Sequence, residues 1–182
     1  MRLKKRFVAL AALVGAIAAI STVAFADVAP GPYSPTADSF NGANAPGSSH
    51  LTSGTPSCTV NADRSINCTS YVLGGVGHTN ATVSLVASYS ATIDCTNHGG
   101  NLVESHTSNF TASSTASVAS TRNGQLTVPT RSASPFSAPQ VCPNPNWTPS
   151  IRGGTVTLNS FTYTLTFVGF SSPYITITAT DP

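Results

Sequence analysis

The chain has 182 residues, and only 8% of them are charged, eight Lys or Arg against six Asp or Glu. Half of the basic residues, Arg2, Lys4, Lys5 and Arg6, stand in the first six positions. The rest of the chain keeps Arg64, Arg122, Arg131 and Arg152, no Lys and all six acids, a side-chain net charge of −2. No basic stripe is left there to neutralise phosphates or hold an anionic bilayer, which sets nucleic acid and acidic membrane aside as partners.

The basic start is followed by an apolar run from Val8 to Val23 and by "AFA", in which Ala24 and Ala26 are the small residues a signal peptidase requires. A charged n-region, a short apolar h-region and an A-x-A site predict a signal peptide over 1–26, cleaved after Ala26, with a bacterial character. The run is shorter than the roughly 20 apolar residues of a spanning helix, and no second run is long enough to span. The expectation is a secreted, extracellular protein. Residues 27–56 are rich in Pro, Gly, Ser, Ala and Asn with no apolar period, and predict a flexible tether. The domain is expected over 57–182.

That domain opens with "CTVNADRSINC". Counting outward from the turn "NADRS" pairs Asn61 with Ser65, Val60 with Ile66 and Cys58 with Cys68. Four Cys in an exported chain argue for disulfides. The hairpin register gives Cys58–Cys68 and leaves Cys95–Cys142. Zinc is not expected, because no C-x-x-C or paired His motif is present.

"NATVSLVASYSATIDC", residues 80–95, alternates with period two and predicts a half-buried strand, Val83, Leu85, Ala87, Tyr89, Ala91, Ile93 and Cys95 on one face. "TNHGGN" (96–101) and "RNGQ" (122–125) are turn signals, the second preceded by the Ser/Ala/Thr-rich stretch 111–121. A Pro-rich loop spans 129–149. "SFTYTLTFV" and "YITITAT" alternate again and predict two more strands. Frequent turns and short strands without helical period predict one all-β domain, an antiparallel β-sandwich of the Ig-like or Greek-key type with two disulfides. A closed β-barrel is the alternative.

Chemistry-bearing motifs are sparse. No G-x-S-x-G elbow occurs. His50, His78, His98 and His106 fall in the tether or near loops and read as surface residues. A Ser-His-Asp set drawn from Asp94, His98 and some Ser carries no weight in so Ser-rich a chain. Asp94 and Glu104, flanking one turn, are the only carboxylates placed for acid/base work. "VLGGVG" (72–77) lacks the Lys and the helix of a phosphate loop and reads as a strand end or bulge. The N-x-T triplets at Asn67, Asn80, Asn109 and Asn146 are about as many as composition alone produces. No catalytic set, no metal and no cofactor is expected. The Thr-x-Thr runs suit the wet face of a strand through the β-propensity of Thr; a flat face that orders water or binds sugar is their functional alternative. Trp147, the single Trp, stands between prolines near Cys142 in "CPNPNWTPSI". It is the candidate binding residue, its alternative role being to fold back and cap the core.

The segments "ATIDCTNHGGN" (91–101), "RNGQLTV" (122–128) and "VCPN" (141–144), with an earlier Cys pair, resemble a group of small secreted actinobacterial proteins without assigned function. In that group a strand ends in Cys followed by N-x-G-G-N, then comes an N-G-[RQ] turn and then Cys-Pro-Asn. The likeness covers about residues 57–170 and implies a β-sandwich with Cys95 paired to Cys142; the longer Pro-rich segment before the domain and "NPNWTPS" depart from it. It implies no activity. The expected function is a non-enzymatic extracellular module that binds a cell-surface glycan or protein. An extracellular protease inhibitor presenting the loop 129–149 is the alternative.

Overall fold

The computed structural model describes residues 27–180; the expected signal peptide, 1–26, lies outside them. Twelve strands and two single 3-10 turns make up the regular structure, and no α-helix occurs among the described residues. The strands are β1 (Gly31–Tyr33), β2 (His50–Ser53), β3 (Cys58–Val60), β4 (Ile66–Cys68), β5 (Tyr71–Gly74), β6 (Ala81–Thr96), β7 (Leu102–Val118), β8 (Leu126–Val128), β9 (Arg131–Ala133), β10 (Thr148–Ile151), β11 (Thr157–Phe167) and β12 (Ile175–Thr180). Every pairing among them is antiparallel.

One layer is a five-stranded sheet. β6 pairs along its whole length with β7 on one side; on the other it pairs first with β11 and then with β10, while β12 lies beyond β11. The facing layer consists of two small sheets, β1-β3-β4-β9 and β2-β5-β8. The chain is an all-β sandwich, and no closed barrel forms among the described residues.

Period two explains the core. The odd-numbered residues of β6, those of β11 from Phe161 on, and Ile175 and Ile177 of β12, among them Leu85, Tyr89, Tyr163, Leu165 and Phe167, are fully or almost fully buried. They meet Val60, Ile66, Tyr71, Leu73, Leu126 and Val128 of the facing layer. A side chain of that size contributes about 1.5–3 kcal/mol when buried, and the alternation puts each one on the same side. The first hairpin has Cys58 opposite Cys68, with Asn61 and Ser65 closing the turn through a 2.8 Å bond from Asn61 N–H to the Ser65 carbonyl. The disulfides are Cys58–Cys68 and Cys95–Cys142.

Residues 27–56 are not a flexible tether; they are woven into both layers. Asp27 accepts a hydrogen bond from Leu158 N–H (3.0 Å) and forms an ion pair with Arg64, and Val28 N–H donates to the Leu158 carbonyl at 2.9 Å. β1 then pairs with β3 in the opposite layer. The segment returns to lie along β12, where Thr36 N–H donates to the Thr176 carbonyl (2.8 Å), Thr176 N–H to Ser39 Oγ (3.0 Å) and Phe40 N–H to the Tyr174 carbonyl (2.7 Å). β2 finally pairs with β5. The physical reason is anchorage by isolated residues. Val28 and Ala45 are buried, Tyr33 meets Phe161 edge-on, and Phe40 meets Tyr174 edge-on. Such contacts leave no periodic trace in the sequence.

The Pro-rich stretch 129–149 is also more structured than a loop. It contains β9, a 3-10 turn at Pro135–Ser137 capped by Ser134, and the first residues of β10.

Candidate functional site

The outer face of the five-stranded sheet carries the even-numbered residues of β6 and β12, the even-numbered residues of β11 from Ser160 on, Thr157 before the register shift, and the odd-numbered residues of β7. Cross-strand register sorts them into rows. Ser117, Thr82 and Thr166 form one row. Thr115, Ser84, Thr164 and Thr176 form the next, then Ser113, Val86, Thr162 and Thr178, then Thr111, Ser88, Ser160 and Thr180. Asn109, Ser90 and Thr157 close the series. Every position is Ser or Thr except Val86 and Asn109, and no charged side chain stands in these rows. Neighbouring rows are about 6.7 Å apart along the strands, and neighbouring members of a row about 4.8 Å. Two pairs of neighbours are bonded directly, Ser84 with Thr115 at 3.0 Å and Thr162 with Thr178 at 3.4 Å. The β7 positions, Thr162 and Thr178 are open to solvent, as is Val86 at 42% exposure.

The face ends in a cleft of about 220 Å³, lined by Ser90, Thr92, Thr107, Thr155 and Thr157. It forms where β11 leaves the edge of β6 before β10 joins it. A register shift between Leu158 and Ser160 puts the extra residue there, and Asn159 Oδ1 accepts from Ser90 Oγ at 3.1 Å. Thr155 Oγ1 accepts from Thr92 N–H (3.0 Å) and donates to the Arg152 carbonyl (2.8 Å).

Beyond the cleft stands the single ionic group of this face among the described residues. Arg152 grips Asp94 through two bonds, Nε to Oδ2 at 3.1 Å and Nη2 to Oδ1 at 2.7 Å. Ser105 Oγ donates to Asp94 Oδ1 at 2.7 Å and accepts from Arg152 Nη2 at 2.8 Å. The Arg152 guanidinium, and after it the Ser105 hydroxyl, holds the Asp94 carboxyl below the ordinary carboxylate range. Glu104 sits opposite Cys95, on the other face of the β6–β7 hairpin, while Asp94 sits opposite Ser105. The two carboxylates that flank the turn therefore point to opposite sides and share no substrate position. His98 is exposed in that turn, and His106 lies across the hairpin from Ile93 with Glu104 Oε1 at 3.8 Å.

Trp147 is half-buried on the inner face of the same hairpin, where β6 and β7 run past the main core. Ala91, Ile93 and Cys95 form a second small apolar cluster there, and Trp147 packs on it beside Phe110, Cys142, Ile151 and Val156. The Cys95–Cys142 bond fastens the covering loop. The rest of the Trp147 ring lines a hollow of about 260 Å³ with Gln140, Val141, Asn144, Pro145 and Pro149. Trp147 thus caps apolar surface and also borders a hollow.

The Gly-rich segment 72–77 ends β5 and turns the chain. Gly75, at φ +70°, lies against the Ser48 carbonyl, where any added Cβ would collide. An open hollow of about 580 Å³ at this pole is lined by Pro46–Ser48, Gly75–Gly77 and Arg122–Gly124.

Among the described residues no group of three or more His, Cys, Asp or Glu is placed to hold a metal ion. None of their helices is long and apolar enough to cross a membrane. No family model matches the chain, and no curated protein and no solved structure is significantly similar to it.

Proposed function

We propose that this is a secreted, non-enzymatic protein that binds an extended neutral polysaccharide surface, such as that of a cell envelope, through the hydroxyl-bearing face of its five-stranded sheet. One observation carries the reading: four strands in register present rows of Ser and Thr with no charge among them. Thr on a wet strand face is ordinary by itself. Register across four strands adds a two-dimensional repeat of donors and acceptors, and a repeating sugar surface offers the same groups in return. The absence of charge removes long-range attraction to polyanions and leaves short-range hydrogen bonds and packing around Val86 to define the partner. Export is supported by the signal-like start and by two disulfides, which persist in oxidising compartments.

Retention on insoluble polysaccharides and isolated cell walls tests this. Thr162→Lys and Thr178→Lys, both at exposed positions, are expected to abolish retention while the melting temperature stays within a few degrees. Retention unchanged in both variants, or no retention of the unaltered protein on any such surface above a reduced, unfolded control, rules the reading out.

The second reading is a protease inhibitor presenting the loop 129–149. Its support is Val141, 70% exposed in an irregular stretch and held next to the disulfide at Cys142. Inhibition assays against subtilisin- and trypsin-like enzymes decide it. Cleavage between Gln140 and Asn144 as an ordinary substrate would end it.

A further inference from the structure

The five-stranded sheet has two long edges, and they are treated differently. Along β12 the segment 36–40 supplies backbone and side-chain partners at Tyr174 and Thr176, so the start of that edge is covered. Along β7, the seventeen residues from Leu102 to Val118 pair with β6 on one side only. Among the described residues no backbone group donates to or accepts from the other side of β7. Open edges are normally blunted by Lys, by Pro, by a bulge or by a covering segment. β7 has no Lys and no Pro, and its one register irregularity is confined to its start, near Leu102. From Thr107 to Val118 it has no charge at all.

We propose that this edge pairs with the β7 edge of a second copy of the chain, antiparallel and about a two-fold axis, joining two five-stranded sheets into one. The sequence of β7 is complementary to itself in the register that uses all seventeen residues. Phe110 then faces Phe110 on the axis, Asn109 faces Thr111, Thr107 faces Ser113, and Ser105 faces Thr115. The Thr–Ser pairs among these are favourable across antiparallel strands. Glu104 faces Ala116 and His106 faces Ser114, which Arg131 Nη1 approaches at 3.4 Å, so no charged residue of β7 meets another of β7. Odd residues face odd and even face even, which keeps the outer face of both copies on one side. A two-fold interface needs such self-complementarity and closes after two copies. A heterologous strand would have to match an edge that offers neither a charge pattern nor deep side-chain pockets to select it.

Sedimentation equilibrium of the chain from Asp27 onward, with native mass spectrometry, tests the pairing. The expected mass is that of two chains. Asn109→Lys with Thr111→Lys sets like charges against each other across the axis and is expected to return the mass to one chain. Asn109→Glu with Thr111→Glu does the same alone. Mixing the two double variants is expected to restore a two-chain species containing one of each. The same experiment with Thr162→Lys, on the same face but away from the edge, is expected to leave two chains. Far-UV circular dichroism shows that each variant is folded. A single-chain mass for the unaltered protein at high micromolar concentration overturns the proposal. So does a dimer that survives the β7 lysines, or failure of the folded Lys and Glu variants to combine.

Discussion

Tyr71 and Tyr163 stand in the middle of the core and hydrogen-bond to each other at 2.9 Å. Burial pushes both phenols above their ordinary range. The pair is a test of what a buried hydrogen bond contributes. Deleting one hydroxyl strands the other without its partner, at a cost of about 1–3 kcal/mol, whereas deleting both removes two groups that no longer need water. Tyr71→Phe and Tyr163→Phe are therefore each expected to destabilise the protein by about 1–2 kcal/mol, and the double variant to lie near the unaltered protein, as read by urea unfolding in a double-mutant cycle. Asp94 has the opposite character: half-buried at the surface, ionised and gripped. Its folded-state pKa lies below its unfolded one, so the ion pair is fully present above the ordinary carboxylate pKa and is lost only as pH falls through the depressed value. Arg152→Ala removes the largest cause of that depression. The Asp94 pKa is then expected to climb toward the ordinary value without reaching it, because Ser105 still donates; NMR titration of its carboxyl carbon measures this.

The hairpin of β6 and β7 is the element on which most else depends. Its first part closes the core, while its far part overhangs and has its own cluster, roofed by the loop that Cys142 pins to Cys95. The disulfide encloses a loop with a sequence separation of 47, which in the chain-entropy account corresponds to about 4 kcal/mol. Replacing both cysteines by Ala is expected to lower stability by up to about that amount. The accompanying loss of hydrogen-exchange protection should fall mainly on Ala91–Thr96 and Thr148–Ile151 and spare Leu85 and Tyr163. Uniform loss across both regions would show that the overhang is not a separate unit. β6, β11 and β12 were legible in the sequence because large apolar residues alternate with Ser and Thr. β7 was not, since its inward positions include Glu104, His106, Ser108 and Ser114 beside Phe110 and Ala112. Its strand character comes from its partner rather than from its own pattern, which is the usual way tertiary context overrides local preference. The Cys58–Cys68 hairpin was legible down to its register, because its turn and its two cysteines fix the count from both ends.

At the scale of the whole molecule, what the sequence hid was connectivity. Composition made residues 27–56 resemble a linker, yet they bridge the two layers and cover the start of the β12 edge. Val28, Tyr33, Phe40 and Ala45 do this one at a time, so no window of sequence shows a period. The outer face was half-legible in the same sense. Thr-x-Thr runs are visible in β11 and β12, but only the pairing of β7, β6, β11 and β12 turns separate runs into rows. The position of Trp147 in a loop near Cys142 could be read; the cluster it covers is assembled from residues some fifty positions earlier and could not.

The bond from Val28 to Leu158, together with the pairing of Ser160 with Thr180, has a consequence for the chain as a length of string. Asp27 and Thr180 both lie against the same stretch of β11, so the described part of the chain, 27–180, nearly closes on itself. A short Gly-Ser joint should complete the ring at little entropic cost, and the ring can be reopened in the exposed turn between His98 and Gly99. A circular permutant made in this way is expected to form the same two disulfides and to melt within a few degrees of the original order. Failure to do so would place the two ends apart.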